Sequence, residues 1–259
     1  MSDFPTPNFS LDLTGQVAMV TGATAGLGQR FARVLAACGA SVAVTGRRVE
    51  RLEALAAEIR DAGGRCEPIP MDMTDRAQLL AGLDQAEEKL GTVTILVNNA
   101  GIPDAARATK MEDDLFDRVM DTNLEGPWLL SCAVADRLIK AKLPGRIVNI
   151  ASMAAFDTQP SLPAALYSTT KAALVRMTEA LAVEWSKFPI NVNAIAPGSF
   201  SSEMMDGMLE RIGDIAPHFP RQRICDPAQM DSTLLFLVSP ASECVTGTCI
   251  KIDDGQLGR

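Results

Sequence analysis

A lysine follows a tyrosine by four positions in the segment "LYSTTKAALVRM", residues 166–177. Tyr167 is the only tyrosine of the 259-residue chain, and this spacing places it on the same face of a helix as Lys171. A free tyrosine has a pKa of about 10. A neighbouring ammonium favours tyrosinate and lowers that pKa, so that the phenol can exchange protons nearer neutrality. The pair is a candidate acid/base site, and an ordinary packed helix is the alternative.

A glycine-rich segment near the N-terminus has the composition of a phosphate-binding turn. The segment "VTGATAGLGQRFA", residues 20–32, carries Gly22, Gly26 and Gly28 between an apolar run and an amphipathic helical pattern. Bare backbone permits close approach of a pyrophosphate, and the helix N-terminus offers unpaired N–H groups to the anion. Because the glycines lie between a strand and a helix, they predict a dinucleotide site rather than a plain turn.

The residues after the second apolar run bear on the choice of cofactor. The chain reads "VTGRRVERL", with Arg47 and Arg48 and no acid before Glu50. An acid here would bind the ribose hydroxyls of NAD, whereas paired guanidiniums suit the 2′-phosphate of NADP. The alternative is a solvated helix start, and Ala25 in the glycine loop supplies no second cation. We predict NADP in preference to NAD.

Short apolar runs alternate with helical patterns along the chain. Helical spacing recurs after the first three runs and ends at glycines, as at Gly39 and Gly91. This alternation predicts a doubly wound α/β fold with a parallel sheet. We expect an N-terminal arm at residues 1–12 and one domain at 13–259. The runs that predict strands are residues 16–21, 41–45, 95–98, 146–150, 191–196 and 248–252.

Composition excludes several function classes. The net charge of −8 and the pI of about 4.8 disfavour binding to nucleic acid or to anionic membranes. No apolar run reaches the length of a bilayer span, and no secretory signal is recognisable, so we expect a cytoplasmic protein. The six cysteines form no C-x-x-C and are expected to be free thiols. His218 is the only histidine, and we expect no metal site.

Further motifs occur in a fixed order, and together with the glycine loop and the Tyr167–Lys171 pair they carry a resemblance. They are "NNAG" at 98–101, "DTNLEG" at 121–126, "NIAS" at 149–152 and "APG" at 196–198. From Leu13 to Gly255 the chain resembles the short-chain dehydrogenase/reductase family in its compact form. The resemblance implies a Rossmann-type fold with a seven-stranded parallel sheet and NAD(P)-dependent oxidoreductase activity on CH–OH groups.

The resemblance also implies roles for four residues. Tyr167 would be the general acid/base, and Lys171 would lower its pKa together with the oxidised nicotinamide and bind the nicotinamide ribose. Ser152 would hold the substrate oxygen and stabilise developing charge. Asn123 would hold a water that links Lys171 to solvent. Singly, each residue has an ordinary structural alternative; the ordered set favours catalysis.

The remaining site residues follow from the same resemblance. The lid would be residues 199–222, and the pocket wall would be mostly apolar. The expected cofactor-binding residues are Gly22, Thr24, Gly26, Leu27, Gly28, Arg47, Arg48, Asp72, Met73, Asn99, Ala100, Gly101, Tyr167, Lys171, Pro197, Gly198, Phe200 and Ser202. The expected substrate-pocket residues are Ile102, Ala154, Phe156, Leu162, Met204, Met205 and Met208.

Two departures from the family pattern stand out. Fifteen positions separate Ser152 from Tyr167, two more than is common, so the intervening segment is expected to bulge beside the substrate. Asp254 stands where a second glycine is common, which bears on the C-terminal turn and on subunit contacts. The family's assemblies imply a homotetramer or a homodimer, with the long helix 113–141 and the helix beginning near Tyr167 forming one interface.

The sequence leaves three functions open. The first is interconversion of a secondary alcohol and a ketone on a mostly apolar small molecule. The second is reduction of a 3-oxoacyl thioester on the same fold. The third is a catalytically inactive, nicotinamide-binding regulatory protein. The set Asn123, Ser152, Tyr167 and Lys171 argues against the third, and the lack of an obvious cationic patch for a carrier argues weakly against the second.

Overall fold

A seven-stranded parallel sheet forms the centre of the computed structural model, which describes residues 10–104, 106–158 and 163–256. The strand order is β3-β2-β1-β4-β5-β6-β7, and every neighbouring pair is parallel. The predicted fold class is therefore confirmed. The strands are β1 (Val17–Val20), β2 (Ser41–Gly46), β3 (Arg65–Pro70), β4 (Ile95–Asn98), β5 (Gly145–Ile150), β6 (Ile190–Pro197) and β7 (Cys249–Ile252).

Helices cover both faces of the sheet, which is why the central strands are apolar on both sides. One face packs against the first, second and eighth helices around Phe31, Leu35 and Leu55, and the other packs against the third, fifth and sixth around Leu79, Leu130 and Leu174. The helices are α1 (Gly26–Ala37), α2 (Val49–Asp61), α3 (Arg76–Leu90), α4 (Asp113–Met120), α5 (Gly126–Ala141), α6 (Ala165–Glu184), α7 (Glu203–Ile212) and α8 (Asp231–Val238).

Strand β3 is the one strand that the apolar runs do not mark. Its sequence "RCEPIP" contains two prolines and two charged residues. Proline lacks the N–H group that a central strand would need, and β3 lies at the edge of the sheet, where proline is tolerated. The pattern of apolar runs therefore finds six strands, and the seventh depends on tertiary pairing with β2.

The order of strands creates a crevice at their carboxyl ends. Strand β1 pairs with β2 on one side and with β4 on the other, so the connections diverge there and open a space at the sheet edge. Buried side-chain hydrogen bonds stabilise the ends of β4 and β5. The Asn98 amide donates to Asn149 Oδ1 at 2.8 Å and to Ser131 Oγ at 3.0 Å, and Asn149 donates to Thr178 Oγ1 at 2.9 Å.

The structure also bears on the expected N-terminal arm, the cysteines and membrane-spanning helices. Residues 1–9 of the expected N-terminal arm lie outside the described residues, and the Ser10 carbonyl accepts a 2.9 Å hydrogen bond from Ser239 Oγ. All six cysteines are free thiols. Among the helices that the structure describes, none has the length and apolarity to cross a membrane.

Candidate active site

A cleft of about 1230 Å³ lies at the carboxyl ends of the strands and contains most of the predicted site residues. Ser152, Tyr167 and Lys171 line it, as do all the expected cofactor-binding residues except Gly28. Its volume exceeds the usual range of ligand pockets, so it has room for a dinucleotide and a second small molecule. The structure thus places residues from six separate motifs in one cavity.

Backbone geometry explains two of the glycines in the turn after β1. Gly22 has a φ of +66°, and a Cβ at this position would lie 2.8 Å from Ala100 Cα. A Cβ at Gly28 would lie 2.5 Å from the Gly22 carbonyl oxygen, so Gly28 packs beneath the turn rather than lining the cleft. Ala25 precedes α1 and has no side-chain group that could cap it. The first N–H groups of α1 therefore face the cleft as donors.

A π-helical turn positions Asn123 behind the cleft wall. The predicted long helix over 113–141 consists of α4 and α5 joined by the π-helical residues Asp121–Glu125. Such turns often occur at functional sites. Asn123 is fully buried, accepts the Ile102 N–H at 2.8 Å and donates to the Ile102 carbonyl at 2.9 Å. In this structure its amide therefore fixes the backbone after β4.

Lys171 lies one helical turn after Tyr167 on α6 and is almost completely buried. Its Nζ donates to the Ile150 carbonyl at 2.8 Å and lies 5.6 Å from the centroid of the Tyr167 ring. A Cβ at Gly101 would lie 3.3 Å from Lys171 Nζ and 3.5 Å from Asn123 Oδ1, so these two polar groups border the same space. Burial lowers the pKa of Lys171 to about 8, which leaves most of its amines protonated at neutrality.

The pKa of Tyr167 is raised in the free protein. Removal of water around the phenol raises its pKa, a hydrogen bond with Ser152 lowers it, and the Asp104 carboxylate raises it further. The expected lowering by Lys171 together with an oxidised nicotinamide stays a prediction for the cofactor complex, because desolvation dominates in the free protein. A tyrosinate here would need positive charge beyond that of Lys171.

Asp104 is a site residue that the sequence does not reveal. It is buried, and its Oδ2 accepts the N–H groups of Leu166 at 3.0 Å and Tyr167 at 3.1 Å. These are N-terminal donors of α6, and the preceding Ala164 has no side-chain acceptor to cap them. A residue 62 positions away in sequence therefore fixes the start of the helix that carries Tyr167. No local pattern signals such a long-range cap.

Replacing Asp104 separates its two effects on Tyr167. Asp104→Asn retains an oxygen acceptor but removes the charge, so the pKa of Tyr167 is expected to fall. Asp104→Ala also removes the cap and should lower the free energy of unfolding by about 1–2 kcal/mol. Because the chain has one tyrosine, the ultraviolet absorbance of tyrosinate reports the Tyr167 pKa directly. An unchanged titration in the Asn variant would exclude an electrostatic role for Asp104.

The predicted cations, Arg47 and Arg48, line the cleft directly after β2. Arg48 donates from Nε and Nη2 to Thr24 Oγ1 at 3.1 and 2.7 Å, and this contact holds its guanidinium beside the glycine loop. Arg47 Nη1 lies 3.7 Å from Asp72 Oδ2. Asp72 and Met73 line the cleft here, where the adenine of a dinucleotide was expected.

The predicted lid begins beside the glycine loop, and part of the predicted pocket wall lines the same cleft. Helix α7 begins after Ser202, whose Oγ accepts the Met205 N–H at 3.2 Å. Five of the predicted pocket residues line the cleft: Ile102, Ala154, Met204, Met205 and Met208. Phe156 does not line it, because its ring is 44% exposed and lies under Lys251 Nζ at 4.1 Å. Leu162 lies outside the described residues.

The structure shows where the two departures from the family pattern lie: the longer segment between Ser152 and Tyr167, and Asp254. In the described part of the segment between Ser152 and Tyr167, Asp157, Thr158 and Pro163 border the cleft. Asp254 adopts a φ of +53°, which explains why glycine suits this position, and pairs with Arg223 at 2.7 Å and Arg221 at 3.0 Å. These ion pairs connect the C-terminal turn to residues 221–223.

Comparison with known proteins identifies the family. The model of the family described as short chain dehydrogenase matches residues 16–212. The chain belongs to the short-chain dehydrogenase family. The chain is 35% identical over 253 residues to oxidoreductase UcpA of Escherichia coli K12, an alignment that covers 94% of this chain and 95% of UcpA.

Solved structures of short-chain dehydrogenases agree with the fold. A short-chain type dehydrogenase/reductase from Mycobacterium marinum superposes with a TM-score of 0.91 at 35% identity, covering 95% of this chain and 97% of that one. A short chain dehydrogenase from Burkholderia cenocepacia in complex with NADP gives a TM-score of 0.86 at 32% identity, covering 94% and 98%. The chain is thus an oxidoreductase of this family that acts on alcohol or ketone groups.

The residues of this short-chain dehydrogenase fit a nicotinamide dinucleotide. The turn at Gly22 leaves no room for a side chain, α1 presents uncapped N–H groups, and the cleft extends without interruption from Arg48 to Tyr167. The glycine turn would hold the pyrophosphate, and Lys171 would hold the nicotinamide ribose. Among the described residues, His, Cys, Asp and Glu side chains form no cluster of three or more suited to a metal ion.

Proposed function

We propose that this enzyme interconverts a secondary alcohol and a ketone with NADP(H), and that Tyr167 is its acid/base. The observation that carries the proposal is the arrangement of the cleft. Ser152 follows β5 and lines the cleft with Tyr167 and Lys171, whereas Arg47 and Arg48 follow β2, three strands away across the sheet. An enzyme that transfers hydride needs a proton donor beside the reacting carbon and a separate anchor for the cofactor.

Each catalytic residue has a stated task in alcohol oxidation. Held by the glycine turn and Lys171, a nicotinamide cofactor would supply the hydride acceptor for the carbinol carbon. Tyr167 Oη takes the hydroxyl proton as the C=O bond forms, and in reduction it returns that proton to the oxygen. Ser152 Oγ hydrogen-bonds the same oxygen and stabilises its developing charge. Protonated Lys171 favours tyrosinate, and Asn123 with the space beside Gly101 forms the route by which protons reach solvent.

Three observations support NADP rather than NAD. Arg47 and Arg48 follow β2, where the adenosine ribose of a dinucleotide lies in this type of fold. Thr24 holds the Arg48 guanidinium beside the glycine loop, so its positive charge lies at the cleft where a phosphate would be attracted. The similar enzyme from Burkholderia cenocepacia binds NADP. The proposal would be wrong if the Kd for NAD⁺ were equal to or lower than that for NADP⁺.

The apolar residues of the cleft wall support a mostly apolar substrate without a large anionic tail. Methionines adapt to varied shapes, and Met204, Met205 and Met208 line the cleft together with Ile212 and Phe219. Arg211 and His218 are polar members of the same lining.

The test of the function is a panel of ketones and alcohols with all four nicotinamide cofactors. We expect alicyclic or aryl ketones to be reduced with NADPH at rates well above a 3-oxoacyl thioester. Efficient turnover of the thioester alone would replace this function with the acyl-reductase alternative. Tight cofactor binding with no turnover across the panel would favour the inactive regulatory alternative.

The raised pKa of Tyr167 predicts opposite pH dependences in the two directions. Reduction requires the protonated phenol, so its kcat/KM should stay flat through neutral pH and fall only at alkaline pH. Oxidation requires tyrosinate, so its kcat/KM should rise with pH toward a plateau. Steady-state kinetics between pH 6 and pH 10 test this. Oxidation that is flat or falls with rising pH would contradict the acid/base role.

We also propose a homotetramer or a homodimer. Trp128 on α5 and Phe116 on α4 are 46% and 45% exposed, which is unusual for large apolar side chains. A shallow groove beside Trp128 is lined almost entirely by apolar atoms of α5 and α6. Burial of this face against a second copy would remove it from water. Sedimentation at micromolar concentration should give an oligomer, and a monomer would refute the proposal.

A further inference from the structure

The lid helix carries a carboxylate that lies at the cationic end of the cleft. Glu203 is the first residue of α7, and its Oε2 accepts from Arg48 Nη1 at 2.7 Å. Its Oε1 forms an ion pair with Arg51 of α2. The hydrogen bonds with Arg51 and Arg48 lower the pKa of Glu203, so the carboxylate is ionised at neutral pH.

The glycine loop keeps this carboxylate beside the arginines. A Cβ at Gly26 would lie 3.0 Å from Ser202 Cβ, so the residue before α7 almost touches the loop. Ser202 caps α7 through the Met205 N–H, which fixes the direction in which the helix leaves. Glu203 therefore reaches Arg48 from one side while Thr24 holds it from the other. All three nitrogens of the Arg48 guanidinium therefore donate hydrogen bonds, Nε and Nη2 to Thr24 and Nη1 to Glu203.

A 2′-phosphate would need the same donors. It carries close to two negative charges and binds best to arginine forks in a bidentate manner. Glu203 occupies Arg48 Nη1 and neutralises part of the charge of Arg48 and Arg51. A phosphate placed at Arg48 would also lie close to the Glu203 carboxylate and be repelled by it. NAD has hydroxyls at this position and avoids both penalties.

We infer that Glu203 sets cofactor specificity by competing with the 2′-phosphate of NADP for Arg48 and Arg51. The inference rests on the proposed placement of that phosphate at the arginines after β2. Glu203 lowers the preference for NADP over NAD from the value that the arginines alone would give. It acts from the lid rather than from the segment after β2, where cofactor preference is ordinarily sought.

The test is calorimetric titration of wild type, Glu203→Gln and Glu210→Gln with NADP⁺ and with NAD⁺. Glu210 is a matched control, because it is an exposed glutamate on the same helix and its substitution changes the net charge equally. Exposed ion pairs are individually weak, so we expect Glu203→Gln to lower the Kd for NADP⁺ by about five- to tenfold. Its Kd for NAD⁺ should change by less than about twofold.

The ratio of the two dissociation constants decides the outcome. If Glu203→Gln changes the NADP⁺/NAD⁺ ratio no more than Glu210→Gln does, or weakens NADP⁺ binding, the inference is overturned. The proposed cofactor preference is judged separately, because it depends on the ratio in wild type. If wild type prefers NAD⁺ and Glu203→Gln binds NADP⁺ more tightly, the proposed preference for NADP is refuted and the inference about Glu203 is supported. Thermal unfolding of both variants checks that the fold is intact.

Discussion

Tyr167→Phe is expected to lower kcat for ketone reduction by about 1000-fold while the Kd for NADP⁺ changes by less than about threefold. The substitution removes the hydroxyl that donates the proton and leaves the ring and its packing in place. General acid/base catalysis contributes about 100- to 10,000-fold in rate, and the chain has no second tyrosine that could substitute. Stopped-flow measurement of nicotinamide oxidation and calorimetric binding of NADP⁺ give the two quantities.

Two controls accompany this variant. Ser152→Ala should lower kcat less than the tyrosine variant, since it removes a hydrogen bond but not the proton donor. The tyrosinate absorbance of wild type should titrate with a pKa above that of free tyrosine, and the phenylalanine variant should show no tyrosinate signal at all. A Phe variant that retains more than about a tenth of the wild-type kcat would remove Tyr167 from the mechanism.

Lys171→Met is expected to lower kcat by about 100-fold or more and at the same time to stabilise the fold at neutral pH. Loss of the ammonium removes the cation that favours tyrosinate, so the pKa of Tyr167 should rise further. The change also removes the donor to the Ile150 carbonyl, and that lost hydrogen bond costs about 1 kcal/mol. Kinetics and urea unfolding of the same preparation measure both effects.

The stability gain follows from the pKa of Lys171. Burial lowers its pKa from 10.5 to about 8, so the unfolded state binds more protons between those pH values. Below pH 8 the folded state therefore carries the full cost of a buried charge, and this cost disappears as the pH rises through the window. Net of the lost hydrogen bond, the Met variant should be more stable by about 1–2 kcal/mol at pH 7. The gain should vanish at about pH 10 and become a loss of up to about 1 kcal/mol at higher pH, and a gain independent of pH would contradict the buried-charge explanation.

Local patterns predict much of this fold because its central strands are buried on both faces. The runs that became β1, β4, β5 and β6 are largely apolar, and every residue of these strands is buried. Strand β3 lacks this signal because an edge strand need not be apolar or rich in N–H donors. The π turn at Asp121–Glu125 is equally invisible, since a helix with one extra residue per turn retains helical composition.

The sequence also predicts some residues of the candidate site and misses others. Motif residues such as Ser152 and Lys171 are predictable because each directly follows a strand or shares a helix face with Tyr167. Asp104 and Glu203 are not, because each acts on an element far away in sequence: Asp104 on the start of α6, and Glu203 on the arginines after β2. The raised pKa of Tyr167 in the free protein is likewise a property of tertiary burial, which the i,i+4 spacing to Lys171 does not reveal.

The most direct measurement is hydride transfer itself, with wild type and Tyr167→Phe compared on the ketone panel using NADPH deuterated at the reactive carbon. If Tyr167 is the acid/base, wild type should place deuterium on the carbinol carbon of at least one apolar ketone. The Phe variant should bind NADPH but transfer deuterium about 1000-fold more slowly. Deuterium transfer at equal rates in the two proteins would contradict this role, as would a wild type that binds NADPH and reduces no ketone.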